Sequence, residues 1–305
     1  MQLAQIQRIV FNEPWAIMAD QLAVIDSVVR ARLDGGRVAF DAEEFKPTEE
    51  QAQRRQTRRV SGGVAVLPLM GVLAHRMNMI TDASGGTSMQ KFGQQFDELV
   101  NDDSIGAIVL DVDSPGGTVA GTDELADKMF AARGRKPVIA VANTLMASAA
   151  YWIGTAADEV VITPSGDVGS VGVAAVHIST AEADKMAGIE TTVLTSGKFK
   201  GEDNPFEPLT DEARENIQER LDAEHDRFVA AVARHRGVSA SVVRSKFGQG
   251  RVLQAEPALA AGMVDRIDTF ENVLAGLMGR GAKPSGRPGR RATLQRRSKQ
   301  RARAW

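Results

Sequence analysis

One serine, Ser148, stands in the stretch from Ala142 to Trp152, "ANTLMASAAYW", among small apolar residues that follow a strand-like run and precede an aromatic pair. At a helix start, unpaired N–H groups and the helix dipole favour negative charge developing on a hydroxyl or a substrate oxygen. A serine hydroxyl hardly ionises at neutral pH, so it becomes a nucleophile only beside a base. Taken alone, the same pattern suits a packed helix start with a hydroxyl cap. The chemistry therefore depends on what else the chain supplies.

One strand–helix unit earlier, the apolar run "AIVLDV" leads into Asp113-Ser114-Pro115-Gly116-Gly117. A Pro-Gly-Gly turn at a strand end bares backbone N–H groups, because glycine has no side chain to block close approach. That suits an oxyanion hole, although an ordinary tight turn has the same composition. Among the four histidines, His225 and His235 lie in a long charged helical run and read as solvated, and His75 lies in the loop-like "GVLAHRMNM". His177, in "GVAAVHIST", is the histidine best placed to act as a base, at what reads as a strand end. The other candidates are Lys198 and Lys200 in "TSGKFKGEDNPF", flanked by Gly197 and Gly201. A lysine accepts a proton from serine only after burial or a nearby positive charge depresses its pKa from about 10.4. Spacing alone leaves both lysines readable as solvated loop residues.

These groups need a scaffold. From residue 60 onward, short β-rich runs ("GVAVLPL", "AIVLDV", "PVIAVA", "EVVIT", "VGVAAVHI", "TTVLT") alternate with helical patterns at about 88–100, 123–132, 148–157 and 180–188. Continuous apolar strands separated by helices predict an α/β domain whose sheet is covered on its faces. After Thr210 the pattern is helical, beginning with "TDEARENIQERLDAEHDRFVAAVARHR". Residues 14–33, with apolar residues at helical spacing behind a proline, predict an N-terminal helix. The organisation is thus an N-terminal helical arm over 1–33, a polar linker over 34–59, a main domain over 60–280 and a basic tail over 281–305.

Composition limits the classes. The chain has 305 residues, 43% of them hydrophobic, enough for one large or two modest cores. It holds no cysteine, which excludes disulfides and a thiol nucleophile. No apolar run approaches the ~18–20 residues that cross a bilayer, and the first residues lack the layout of a secretory signal, so a soluble cytoplasmic protein with no membrane contact is expected. The formal charge of −2 conceals an asymmetry, for residues 281–305 carry nine Lys/Arg and no acid, against 28 basic and 39 acidic groups elsewhere. A tail rich in Gly, Pro and Arg reads as disordered, and phosphate attraction makes nucleic acid one partner among several.

Five ordered blocks, "LDVDSPGG", "ANTLMASAAYWIGTAADEVV", "SGDVGSVGV", "TSGKFK" and "GQGRVLQAEPALAAGMVD", resemble the signal peptide peptidase A family of serine proteases over about residues 60–268. The resemblance implies a fold related to the Clp protease and crotonase families, with the helical arm before it and helices after it. It implies a Ser–Lys dyad of Ser148 as nucleophile and Lys200 as general base, with Lys198 where the family is looser. Backbone N–H groups of Gly116 or Gly117 and of Ala149 would form the oxyanion hole, and Ser170 would orient the lysine amine. No metal and no organic cofactor is implied.

Two further stretches, "KGEDNPFEPLTDEA" and "FNEPWAIMADQL", resemble the bacteriophage branch of that family, whose members are head-maturation proteases. This implies scaffold or capsid-assembly proteins as substrates, a homo-oligomeric ring in which a neighbour completes the site, and a place in the procapsid within the host bacterial cytoplasm. The basic tail is then a contact for scaffold, portal or DNA. Competing readings are a host-type peptidase degrading signal or other small peptides, a catalytically silent capsid component, and a crotonase-like acyl-CoA enzyme, which would have no need of the serine. A Clp-type variant would use His177 in place of Lys200.

Overall fold

The computed structural model describes residues 14–23, 25, 56–60, 62–76 and 86–279. The strands are β1 (Trp15–Ile17), β2 (Arg58–Val60), β3 (Val64–Met70), β4 (Leu73–Ala74), β5 (Thr87–Ser88), β6 (Ala107–Ser114), β7 (Gly116–Thr118), β8 (Val138–Ala147), β9 (Glu159–Ile162), β10 (Asp167–Gly169), β11 (Val252–Gln254) and β12 (Arg266–Ile267). The helices are α1 (Met89–Asn101), α2 (Thr122–Ala131), α3 (Ala149–Thr155), α4 (Ala181–Met186), α5 (Asp211–Arg236), α6 (Ala240–Lys246), α7 (Ala255–Ala261) and α8 (Phe270–Gly279). The chain is an α/β protein, as its alternating pattern predicts.

The main sheet runs β11-β10-β8-β6-β3-β2, with β9 beside β8 and β12 beside β9. Its centre is parallel (β3 with β6, β6 with β8, β8 with β10), and β2 and β11 close the path antiparallel. A parallel centre needs cover on both faces, which is why its strands read as unbroken apolar runs. Val64, Val66, Val109 and Val141 pack on one face with Phe270 and Val273 of α8. The alternate residues Ala65, Leu67, Leu110 and Ala140 enter the larger core with α1, α3 and α5. A smaller sheet, β1-β7-β4-β5, stands beside the main one.

Local chemistry sets the helix limits. Ser88 caps α1 by accepting from Lys91 N, and α1 buries Phe92, Phe96 and Leu99, each such side chain contributing about 1.5–3 kcal/mol. Thr210 caps α5 by accepting from Ala213 N, and Gly237 ends it in the left-handed region at φ 65°. Apart from Ala213 in its first turn, α5 is deeply buried only in its last third, through residues that include Phe228, Val229, Val232, His235 and Arg236. There the Phe228 ring stacks on Trp152 of α3 at 4.5 Å between centroids.

Several sequence expectations need correction. The helix expected over 14–33 begins later, because Trp15–Ile17 pair as a strand with β7, and helical residues start at Ala19. Aromatic and β-branched residues at 15 and 17 suit that pairing, and tertiary contacts override the helical spacing. Arg58–Val60 belong to the sheet, paired with β3. The linker residues 34–55 and the tail 281–305 lie outside the described residues. No strand forms over "VGVAAVHI" beyond an isolated bridge from Ala174 to Trp15, and none over "TTVLT", where residues 190–195 are almost all exposed and find no neighbour to pair with.

His235, expected to be solvated, is buried at 4% exposure and stacks on Phe130 at 4.8 Å. Thr155 Oγ1 donates its proton to Trp152 O at 2.8 Å, so at 3.0 Å from His235 Nδ1 it accepts, which places the ring proton on Nδ1. Burial, then the Arg133 and Arg234 charges, hold the imidazole down to about 3, against 6.5 when free. Folded His235 therefore stays neutral while the unfolded chain takes up a proton, and stability is lost as pH falls from about 6.5 towards 3, by up to about 1.4 kcal/mol per pH unit. Urea unfolding between pH 4 and 8 should show His235→Gln with a shallower acid slope than the parent and a parallel course above pH 7. Equal slopes throughout would contradict the assignment.

Candidate functional site

Strand β8 changes neighbours part-way along. Its first half, Ile139 to Ala142, pairs with β9, and its second, Leu145 to Ala147, pairs with β10. Its register against β6 shifts between Val112 and Ser114, where Ser114 comes opposite Met146. This irregularity redirects the end of β8, and Ser148 follows at once as the N-cap of α3. Its backbone, φ 54° and ψ −119°, is a conformation that non-glycine residues rarely hold, and such strain persists only where surroundings enforce it. Here Ser148 N–H donates to Gly169 O at 2.7 Å, and Ser148 O accepts from Trp152 N at 2.9 Å.

The helix behind the serine is clamped at its far end. Arg133 donates to the carbonyls of Thr155 (2.7 Å), Ala156 (2.8 Å) and Ala157 (2.6 Å), and to His235 O (3.2 Å). Burial draws its guanidinium down to about 10, which leaves it charged at neutral pH and opposed to the negative end of the helix dipole. Tyr151 OH donates to Met263 O at 2.9 Å, and burial pushes that phenol upward. Neither side chain touches the serine. Both hold the element that carries it.

Gly116 comes to Ser148 as the sequence suggests. A methyl built on Gly116 would lie 2.9 Å from Ser148 Cβ and 2.2 Å from Ala16 O, and its φ of +105° suits glycine. A methyl on Gly117 would lie 1.8 Å from Leu73 O. Gly116 N–H donates to Ser114 Oγ at 3.2 Å, and that hydroxyl donates to Gly71 O at 2.7 Å, so Ser114 braces the turn, a role its sequence position did not reveal. Ala149, the first residue of α3, has one of the amides that a helix leaves unpaired.

Ser170 also comes close, since it follows Gly169, the partner of Ala147 across β8 and β10, just as Ser148 follows Ala147. It too has a positive φ, 54°, and its N–H donates to Arg251 O at 2.9 Å. None of the three candidate bases is bonded to Ser148. Lys200 is exposed in a turn and makes no hydrogen bond to Ser148, and Lys198 pairs with Glu212 at 3.3 Å. His177 Nε2 lies 3.3 Å from Asn204 O. Ser148 itself is fully buried, its Oγ at 3.5 Å from Gly172 O. Among the described residues no group of His, Asp and Glu is arranged to hold a metal ion, and no helix is long and apolar enough to cross a membrane.

A serine on a forced backbone at a strand–helix junction, facing a glycine turn, is an arrangement that can be compared with known proteins. Residues 131–282 match peptidase family S49. The chain carries a peptidase family S49 domain. Its relatives include the head-tail preconnector protein GP5 of Enterobacteria phage P21, 34% identical over 209 residues, covering 68% of this chain and 41% of that protein. Another is the capsid assembly protease C of Escherichia phage lambda, 34% identical over 215 residues, covering 70% of this chain and 48% of that protein. The chain thus spans less than half the length of these two relatives. Among solved structures it is similar to a ClpP1 mutant from Listeria monocytogenes, at 15% identity and a TM-score of 0.41 over 77% of this chain and 99% of that one.

The S49 domain holds Ser148, Ser170 and Lys200, whereas Gly116 and Gly117 precede the matched segment. The turn is fixed by its pairing with β4 and β1. Gly117→Ala should destabilise the fold by about 3 kcal/mol, because the methyl meets backbone that cannot yield. Gly276→Ala, with nothing within 4 Å, should stabilise α8 by about 0.5–1 kcal/mol. Denaturant midpoints test the pair, and equal midpoints would contradict the packing of the turn.

Proposed function

We propose that this chain is a serine endopeptidase in which Ser148 is the nucleophile and Lys200 the general base. The observation that carries the reading is Ser148 itself, held at φ 54° between β8 and α3 with Gly116 across from it. Lys200 Nζ takes the proton as Ser148 Oγ attacks the peptide carbonyl, and the oxyanion is met by the N–H groups of Ala149 and of Gly116 or Gly117. The proton then passes to the leaving amine, and water repeats the sequence to release the acyl group from the serine. Ser170, at the adjoining strand end, orients the lysine amine. The chemistry needs neither a metal nor an organic cofactor.

In this reading Lys200 enters the cleft from a stretch that now exposes Met186, Ile189, Leu194, Phe199 and Phe206. So much apolar surface on one segment supports an assembled state, a homo-oligomeric ring, in which the segment is covered and the base brought in. The phage relatives support scaffold or capsid-assembly proteins as substrates and action within the procapsid, in the host bacterial cytoplasm. The basic tail is proposed to contact scaffold, portal or DNA.

A serine-reactive fluorophosphonate and a panel of unstructured capsid-protein segments test the reading. Ser148→Ala should lose both the adduct and cleavage while keeping the parent's oligomeric state. Lys200→Ala should lower kcat/KM by about 10²–10⁴-fold, and His177→Ala should leave it within a few-fold of the parent. Loss of activity on changing His177 but not Lys200 would overturn the dyad. Cleavage persisting in Ser148→Ala would overturn the nucleophile.

A further inference from the structure

A cleft that cleaves extended peptides binds them as an added strand, by main-chain hydrogen bonds to an exposed edge. Beside Ser148 that edge is β7, and it is already taken. Strand β1 runs antiparallel to it, with Trp15 opposite Thr118, Ala16 opposite Gly117 and Ile17 opposite Gly116. The ladder is closed at its ends by Met18 N to Pro115 O at 3.1 Å and Val119 N to Pro14 O at 3.2 Å. Bonds alternate along an antiparallel ladder, so Ala16 and Gly117 are the hydrogen-bonded pair between those ends, and the Gly117 N–H is engaged by this strand. On its other side Trp15 exchanges two bonds with Ala174, each 2.8 Å, just beyond Ser170.

Residues 14–18 are thus held from both sides, as a bound peptide would be. Their backbone lies at the serine, for one methyl placed on Gly116 would strike both Ala16 O and Ser148 Cβ. Ser148 is 0% exposed, so a substrate carbonyl has no path to its hydroxyl in this arrangement. Its two large residues, Trp15 and Ile17, are anchored in a small cluster of their own with Leu22 and Val72, and only the small Ala16 between them packs into the main core. It can therefore leave without dismantling the sheet behind Ser148. An open cleft of about 310 Å³ is lined by Pro14 together with Val176, His177, Asp203 and Leu221.

We infer that residues 14–18 are a built-in occupant of the strand-binding cleft, which keeps Ser148 latent until peptide substrates or assembly displace them. The inference rests on Ser148 being the nucleophile, and it adds what the cleft accepts: an extended segment with a small residue between two large apolar ones.

The chain has no cysteine, so a single engineered disulfide is unambiguous. Pro14→Cys with Val119→Cys joins residues at a hydrogen-bonded position of the ladder, where Cα atoms stand about 5.5 Å apart, within disulfide range. Ala16→Pro does the opposite, removing the N–H that β1 gives to Gly117 O. The probe is a fluorescein-labelled peptide of residues 12–20, followed by anisotropy, with fluorophosphonate labelling of Ser148 measured in parallel. The reduced double variant and Ala16→Pro should each bind the peptide at least tenfold more tightly than the oxidised form and label at least tenfold faster. Equal binding by oxidised and reduced protein, or none by the reduced protein and Ala16→Pro alike, overturns the inference. Peptide binding on release without any labelling leaves the occupant in place and counts instead against Ser148 as nucleophile.

Discussion

The Ser148 N–H donates to Gly169 O where β8, having passed from β9 to β10, ends and a helix begins. That bond helps hold a serine backbone at φ 54° against its ordinary preference, a strain of about 1–3 kcal/mol. The strain is sustained from behind. Trp152 stacks on Phe228, Arg133 gathers the last carbonyls of α3, and Arg236, 4% exposed, pairs with Asp265 at 2.8 Å while donating to Gly262 O. Removing either member of that buried pair would strand an unpaired charge. The end of α5, remote in sequence, is therefore part of what aims the serine.

This dependence explains which features could be read from residues alone. Ser148 and Gly116 were legible because each lies where an apolar run meets small residues, and a parallel sheet places such strand ends together. Ser170 was legible through its block, although only the pairing of β8 with β10 makes the two serines neighbours. His235 was not, since its sequence neighbours Arg234 and Arg236 are charged, and burial arises from Phe130 and Thr155, which no helical periodicity reveals. For β1 the difficulty was a conflict of signals. Spacing over 14–33 favours a helix, and the competing preference of Trp15 and Ile17 for a strand is decided by a turn a hundred residues away.

Lys200 marks the other boundary of legibility. Its motif names it, but a lysine acts on a serine only where water is excluded, and its segment is covered with exposed apolar side chains instead of being packed. In the proposed enzyme the α/β body supplies Ser148, its backbone strain and the glycine turn, while Lys200 as base and the open edge of β7 would depend on movements of two peripheral segments. Those segments differ in how they are held. Residues 14–18 have hydrogen bonds on both sides and an apolar anchor, whereas the stretch from Ile189 to Phe206 has mainly local turns. On that proposal, a protease confined with its targets would gain from this division, because the rigid part can be built early and remain harmless. Uncovering Ser148 and burying Lys200 are separate movements in that reading, so freeing β1 admits peptide and reagent to the serine, while full turnover also needs the lysine segment covered.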